Sequence, residues 1–126
     1  MINEGDNAIN FKMPIDDENF VTLDSFPDNN IVLYFYPKDD TPGCTREAID
    51  FTSHINAFKE CRTTIIGVSA DSISKHKKFI EKHKLEVILA SDEDKKVCED
   101  YGVWIEKSMY GKKFMGIERA TILIDK

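Results

Sequence analysis

The chain reads as an α/β protein: a central, mostly parallel sheet flanked by helices, with a β-hairpin at the N-terminus. Two features predict this class. Short runs rich in β-branched and aromatic residues alternate with helix-length segments in which apolar residues recur every three or four positions. One of these runs, IVLYFY at 31–36, is apolar throughout, as befits a strand covered on both faces and therefore central in its sheet.

In chain order, 11–14 and 20–23 are short runs split by the turn-forming DDEN, and together they predict the opening hairpin. The 31–36 strand follows. Ala48, Phe51, Ile55 and Phe58 then repeat at helical spacing, which predicts one amphipathic helix over 42–60. TTIIGVS at 63–69 predicts a strand, and ADSISKHKKFIEKH at 70–83 a helix capped by Asp71 or Ser72. LEVILA (85–90), DEDKKVCEDYG (92–102) and RATILID (119–125) predict a strand, a short helix and a last strand. There is no internal repeat and no linker-like tract.

A chain of 126 residues with 41% apolar content can bury one core and is short for two, so 1–126 is expected to be a single domain. The 23 acidic and 17 basic side chains leave a formal charge of -6, which opposes binding to nucleic acid or to an anionic membrane. The start, MINEGDNAINF, lacks the pattern of a secretory signal, and no stretch approaches the roughly 20 apolar residues of a membrane span. A cytoplasmic location is the expectation. Three cysteines, Cys44, Cys61 and Cys98, with no CxxC pair, suit a reducing compartment. His76 and His83 share a helix with no evident third ligand, and His54 stands apart, so neither metal nor cofactor is expected. KHKKFIEKHK is read as a solvated helix face, and Trp104 and Met109 as core packing.

The chemistry centres on TPGCT at 41–45. With Thr41 as helix cap, Pro42 takes the first helical position, where its fixed φ helps and its missing N–H costs nothing. Cys44 then falls third, facing unpaired backbone N–H groups and the positive end of the helix dipole, which favour a thiolate. Ala48 and Phe51 continue its stripe, so the sulfur is expected in a pocket that faces the core. A thiol of ordinary pKa near 8.5 is about 3% ionised at pH 7, and lowering the pKa to about 6 raises that only about 30-fold. A fast thiol enzyme must therefore also stabilise charge on the group that leaves.

YFYPKDDTPGCTREAIDF (34–51) resembles the active-site segment of peroxiredoxins, specifically the Q-type branch of bacterioferritin comigratory proteins. GDNAINFKMP, IIGVSADS and YGVWIEKSMYGKKFMGIERATILID extend the resemblance over nearly the whole chain. The resemblance implies a thioredoxin-like fold and thiol-dependent reduction of hydrogen peroxide and organic hydroperoxides by a monomer or homodimer. The implied reductant is thioredoxin, glutaredoxin or a low-molecular-weight thiol. By position, Cys44 would be the peroxidatic nucleophile, Thr41 would bond the peroxide and Pro42 would shield the sulfur. Arg119 would stabilise thiolate and transition state, with Glu47 orienting it. The competing reading is a noncatalytic thioredoxin-like redox-sensing or binding module.

The chain departs from the family pattern in two places. A resolving cysteine is often found five residues after the nucleophile, where Ile49 stands here, or in the following helix, which has none. Cys61 is about 25 Å of helical rise from Cys44, against the roughly 7 Å that a disulfide allows, and is read as buried packing. Resolution by an external thiol is the expectation, with Cys98 as the alternative resolving residue. The family pattern also continues beyond the last strand into a further strand and helix, so Ile122, Leu123 and Ile124 are expected to expose apolar surface and to lower stability.

Overall fold

The computed structural model describes residues 3–125; Met1, Ile2 and Lys126 lie outside the described residues. Strand β1 (Lys12–Pro14) pairs antiparallel with β2 (Phe20–Thr22), as the opening hairpin requires. Their turn is held by the Asp16 carboxylate, which accepts from the backbone N–H groups of Glu18 and Asn19. Strand β3 (Asn30–Phe35) then leads into helices α1 (Pro42–Ser53) and α2 (Ile55–Glu60), followed by β4 (Thr63–Ser69), α3 (Ile73–His83), β5 (Ile88–Ser91) and α4 (Lys96–Asp100). A second hairpin, β6 (Trp104–Met109) with β7 (Lys112–Ile117), precedes β8 (Ala120–Ile124).

The main sheet has the order β5-β4-β3-β8. The β3–β4 and β4–β5 pairs are parallel, while β8 runs antiparallel to β3. Residues 31–35 are all buried, which makes β3 the central strand that its composition predicts. Its alternation divides the interior. Ile31, Leu33 and Phe35 enter one core with Met13, Val21, Cys98 and Tyr101. Val32, Tyr34 and Tyr36 enter another with Cys44, Ala48, Ile55 and Phe79. Helices α1, α2 and α3 therefore cover one face, and α4 with both hairpins the other.

Several expectations change. The single helix over 42–60 is broken at His54, because its Nδ1 (2.9 Å) and the Ser53 hydroxyl (2.8 Å) both meet the Asp50 carbonyl, and the His54 N–H turns to the Phe51 carbonyl at 3.2 Å. The apolar stripe survives the break, which is why periodicity does not show it. Ser72, not Asp71, caps α3, accepting from the Lys75 N–H at 3.2 Å. His76 is buried, so the KHKKFIEKHK face is not wholly solvated. Cys61 ends α2 in an exposed position and is not buried packing.

The β6–β7 hairpin is absent from the sequence reading, since neither strand alternates cleanly. Met109, Phe114 and Met115 are exposed, Trp104 is half-buried, and only Ile117 is fully buried. Met109 thus lies outside the core. The available signal was Tyr110-Gly111, both at positive φ, forming the two-residue turn that a tight hairpin demands. At the sheet edge Leu123 is 65% exposed, whereas Ile122 and Ile124 pack against the core, so only one face of β8 is open.

Gly67 on β4 is demanded by packing. A Cβ there would lie 2.6 Å from the Tyr34 ring and 2.9 Å from Leu89, both buried and unable to yield cheaply. Gly67→Ala is expected to cost about 1–3 kcal/mol in urea unfolding, in the range of overpacked cores; a change below about 0.5 kcal/mol would contradict this packing.

Candidate active site

The site forms where β3 hands over to α1. Thr41 is extended (φ -96°, ψ 154°) ahead of Pro42, and its carbonyl accepts the first helical hydrogen bond, from the Thr45 N–H at 2.8 Å. The side chain does not cap the helix as expected. Its hydroxyl donates instead to the Lys38 carbonyl at 2.9 Å, which leaves the oxygen's lone pairs free to accept. The first-turn N–H groups are therefore not taken by this hydroxyl.

Cys44 lies in that first turn, 2% exposed, on the stripe shared with Ala48. Pro42 and Gly43 beside it are exposed. The sulfur receives a hydrogen bond from Arg119 Nη2 at 3.2 Å, while Nη1 of the same guanidinium donates to Glu47 Oε1 at 2.7 Å. One planar fork thus bridges the first and second turns of α1. The β3–β8 register accounts for its position: Ala120 pairs with Phe35, so Arg119 arrives at the end of β3, close to where α1 starts. The sequence motif assigns Gly43 no role, yet a Cβ there would meet Arg119 Nη2 at 3.3 Å. Its signal was a residue of poor helix propensity inside a first turn.

Charge in the bridge is unequally shared. Burial works against the Arg119 charge, but the Cys44 sulfur first, and Glu47 after it, outweigh burial and hold the guanidinium above its ordinary value. For Glu47 the balance is reversed. Burial pushes its carboxyl up, and attraction to Arg119 only partly offsets this.

A groove of about 510 Å³ opens beside the bridge, between Gly43, Glu47 and Arg119 at one end and Phe51, His54 and Phe58 at the other. The other two cysteines are elsewhere. Cys98 is completely buried in the core on the opposite face of the sheet from Cys44. Burial above all, and then Asp92, push its thiol well up. No group of three or more metal-binding side chains occurs among the described residues, and no helix among them is long and apolar enough to cross a membrane.

The Glu47 shift has a measurable sign. An acid whose folded pKa is raised retains protons in the fold that the unfolded chain has released, so its contribution to stability is lost as pH rises from the unfolded to the folded pKa. The stability of the native protein relative to Glu47→Gln should accordingly fall as pH rises from the ordinary carboxylate range near about pH 4 toward neutrality. Denaturant titrations across that range test it, and a relative rise would mean that the Arg119 bridge outweighs burial.

The AhpC/TSA family model matches residues 4–126. Peroxiredoxin Bcp of Bacillus subtilis is 48% identical over 122 residues, covering 97% of this chain and 78% of its own length. A cysteine-to-serine mutant of Xylella fastidiosa PrxQ superposes with a TM-score of 0.91 at 36% identity, over 98% of this chain and 79% of that one. A Xanthomonas campestris bacterioferritin comigratory protein, whose structure was studied for alkyl peroxide reduction, superposes at 0.83 with 39% identity, over 90% and 72%. The thioredoxin-like architecture implied by the sequence resemblance is the one observed. With a matching family model along almost its whole length and relatives of this identity, the chain belongs to the AhpC/TSA family, in its Q-type peroxiredoxin branch.

Proposed function

We propose that Cys44 performs the thiol-dependent peroxidase reaction of this family member, with Arg119 and Thr41 as its catalytic partners and Glu47 orienting the guanidinium. The observation that carries the assignment is the 3.2 Å contact between Arg119 and a sulfur held in the first turn of α1. The thiolate attacks the hydroxyl-bearing oxygen of the peroxide. A sulfur–oxygen bond forms as the O–O bond breaks, sulfur loses two electrons to the departing hydroxide or alkoxide, and that oxygen takes up a proton. Arg119 and the first-turn N–H groups face the charge that develops, and Thr41 Oγ1 offers an acceptor for the peroxide hydrogen. Pro42 limits access on the outer side.

The organic part of an alkyl hydroperoxide, the substrate class of the Xanthomonas study, would lie in the groove between Arg119 and the Phe51 and Phe58 rings. An external thiol, from thioredoxin, glutaredoxin or a small mercaptan, then condenses with the sulfenic acid and releases water, and a second thiol frees Cys44. Support for external resolution comes from Cys98, whose thiol is buried, held protonated and separated from Cys44 by the sheet.

Rapid mixing with hydrogen peroxide and sulfenic-acid trapping tests the assignment. The native protein should label at Cys44, Cys44→Ser should not, and Arg119→Ala should react about 100- to 1,000-fold more slowly, the usual cost of deleting a donor aimed at developing charge. After one equivalent of peroxide, peptide mapping without reductant should find no disulfide within the chain; a Cys44–Cys98 bridge would overturn external resolution. Stoichiometric oxidation without turnover on any of the three thiol donors would instead make the protein a redox-sensing module.

A further inference from the structure

Asp39 belongs to the loop between β3 and α1 and stands two residues before Thr41, yet it is only 7% exposed. Both carboxylate oxygens are engaged: Oδ1 accepts from the Tyr36 hydroxyl at 2.5 Å, and Oδ2 lies 2.6 Å from Nδ1 of His76, which is 1% exposed. The other ring nitrogen, Nε2, faces the Ala90 carbonyl at 3.1 Å. The Asp39 N–H donates to Asp71 Oδ2 at 2.7 Å, and that oxygen also accepts from the Ser69 hydroxyl at 2.8 Å. This buried cluster therefore joins the loop to the ends of β3, β4 and β5 and to α3.

Hydrogen-bond accounting restricts how the cluster is built. His76 has an acceptor at Nε2 and a carboxylate at Nδ1, so the pair must hold a proton between Asp39 and Nδ1 as well as one on Nε2. Burial, and next the Asp39 charge, push the Tyr36 phenol up and keep its O–H as a donor. On the solvent side the next residue, Asp40, has a positive φ of 58° and accepts from Lys82 at 2.7 Å, with His83 Nε2 at 2.9 Å. That left-handed turn directs the chain so that Thr41 reaches back to Lys38.

We propose that Asp39 and His76 are positioning residues for the peroxidase reaction, fixing the 37–41 loop so that the Thr41 hydroxyl and the start of α1 meet the peroxide in register with the Cys44 sulfur. This rests on Cys44 being the nucleophile. A side-chain cluster needed only for stability would lower the melting temperature and leave the folded protein's chemistry unchanged, whereas a misplaced loop impairs the reaction that needs Thr41 more than one that needs only the sulfur. The two are separable, because iodoacetamide alkylates Cys44 without needing a peroxide to be oriented.

Rates of Cys44 oxidation by hydrogen peroxide and of Cys44 alkylation by iodoacetamide should be measured side by side, well below each variant's melting temperature. Asp39→Ala and His76→Ala should oxidise at least 10-fold more slowly, with alkylation within about 3-fold of native. Asp39→Asn can still accept from Tyr36 and donate to a neutral His76, so it should retain oxidation within about 3-fold. The proposal fails if the alanine variants fold and oxidise at the native rate, if alkylation falls in parallel with oxidation, or if Asp39→Asn is as slow as Asp39→Ala. Should neither alanine variant fold, Tyr36→Phe, which removes one hydrogen bond from Asp39, decides: slower oxidation with native alkylation supports the proposal, and native oxidation overturns it. Failure of the nucleophile assignment would be visible first, as a native Cys44 no faster with peroxide than a free mercaptan.

Discussion

A single guanidinium joins parts of the chain that local structure leaves separate. Arg119 binds the Cys44 sulfur through one nitrogen and Glu47 through the other, across 75 and 72 positions of sequence. The contact exists because β8 runs antiparallel beside β3 and because Gly43 leaves room for the approach. A sulfur 2% exposed has little water to solvate charge, so donors already in place must do so. Lysine could supply the charge, but not two N–H groups in a fixed plane.

The sheet acts as a partition for the thiol chemistry. The period-two alternation of β3 sends Cys44 and its helix to one core and Cys98 to the other. The strands of the sheet therefore stand between the two thiols. Cys98 packs as a small apolar residue whose backbone N–H is held by the Asp92 carboxylate at 2.8 Å. Cys61, at the exposed end of α2, is excluded from the site by its position rather than by burial.

The loop entering α1 is held from beneath and from outside by different chemistry. Beneath it lie buried polar groups at the carboxyl ends of the parallel strands, the end where open α/β sheets place their sites. Outside, Asp40 meets Lys82 and His83 in exposed pairs that contribute little stability individually. The buried set is the more costly to disturb, since loss of one member strands its partners away from water. Helix α3, basic by composition, thus gives its buried His76 and its exposed C-terminal turn to the same loop.

The sequence alone determined what depends on neighbours along the chain. Apolar periodicity showed the helices and most strands, the unbroken run at 31–36 marked the central strand, and TPGC placed a cysteine third in a helix, because each of these is set within a few residues. Apolar patterning could not reveal the break at His54, where two side chains compete for one carbonyl, or the β6–β7 hairpin, whose strands bury too little to alternate and which only its Tyr110-Gly111 turn marks. Arg119 and Glu47 could be named from a family pattern, but their distances to the sulfur depend on a strand register that no local rule supplies. Only tertiary structure decided that Cys98 lies behind the sheet, that Cys61 faces solvent, and that a histidine from a basic helix is buried against Asp39, since these follow from how separate elements pack.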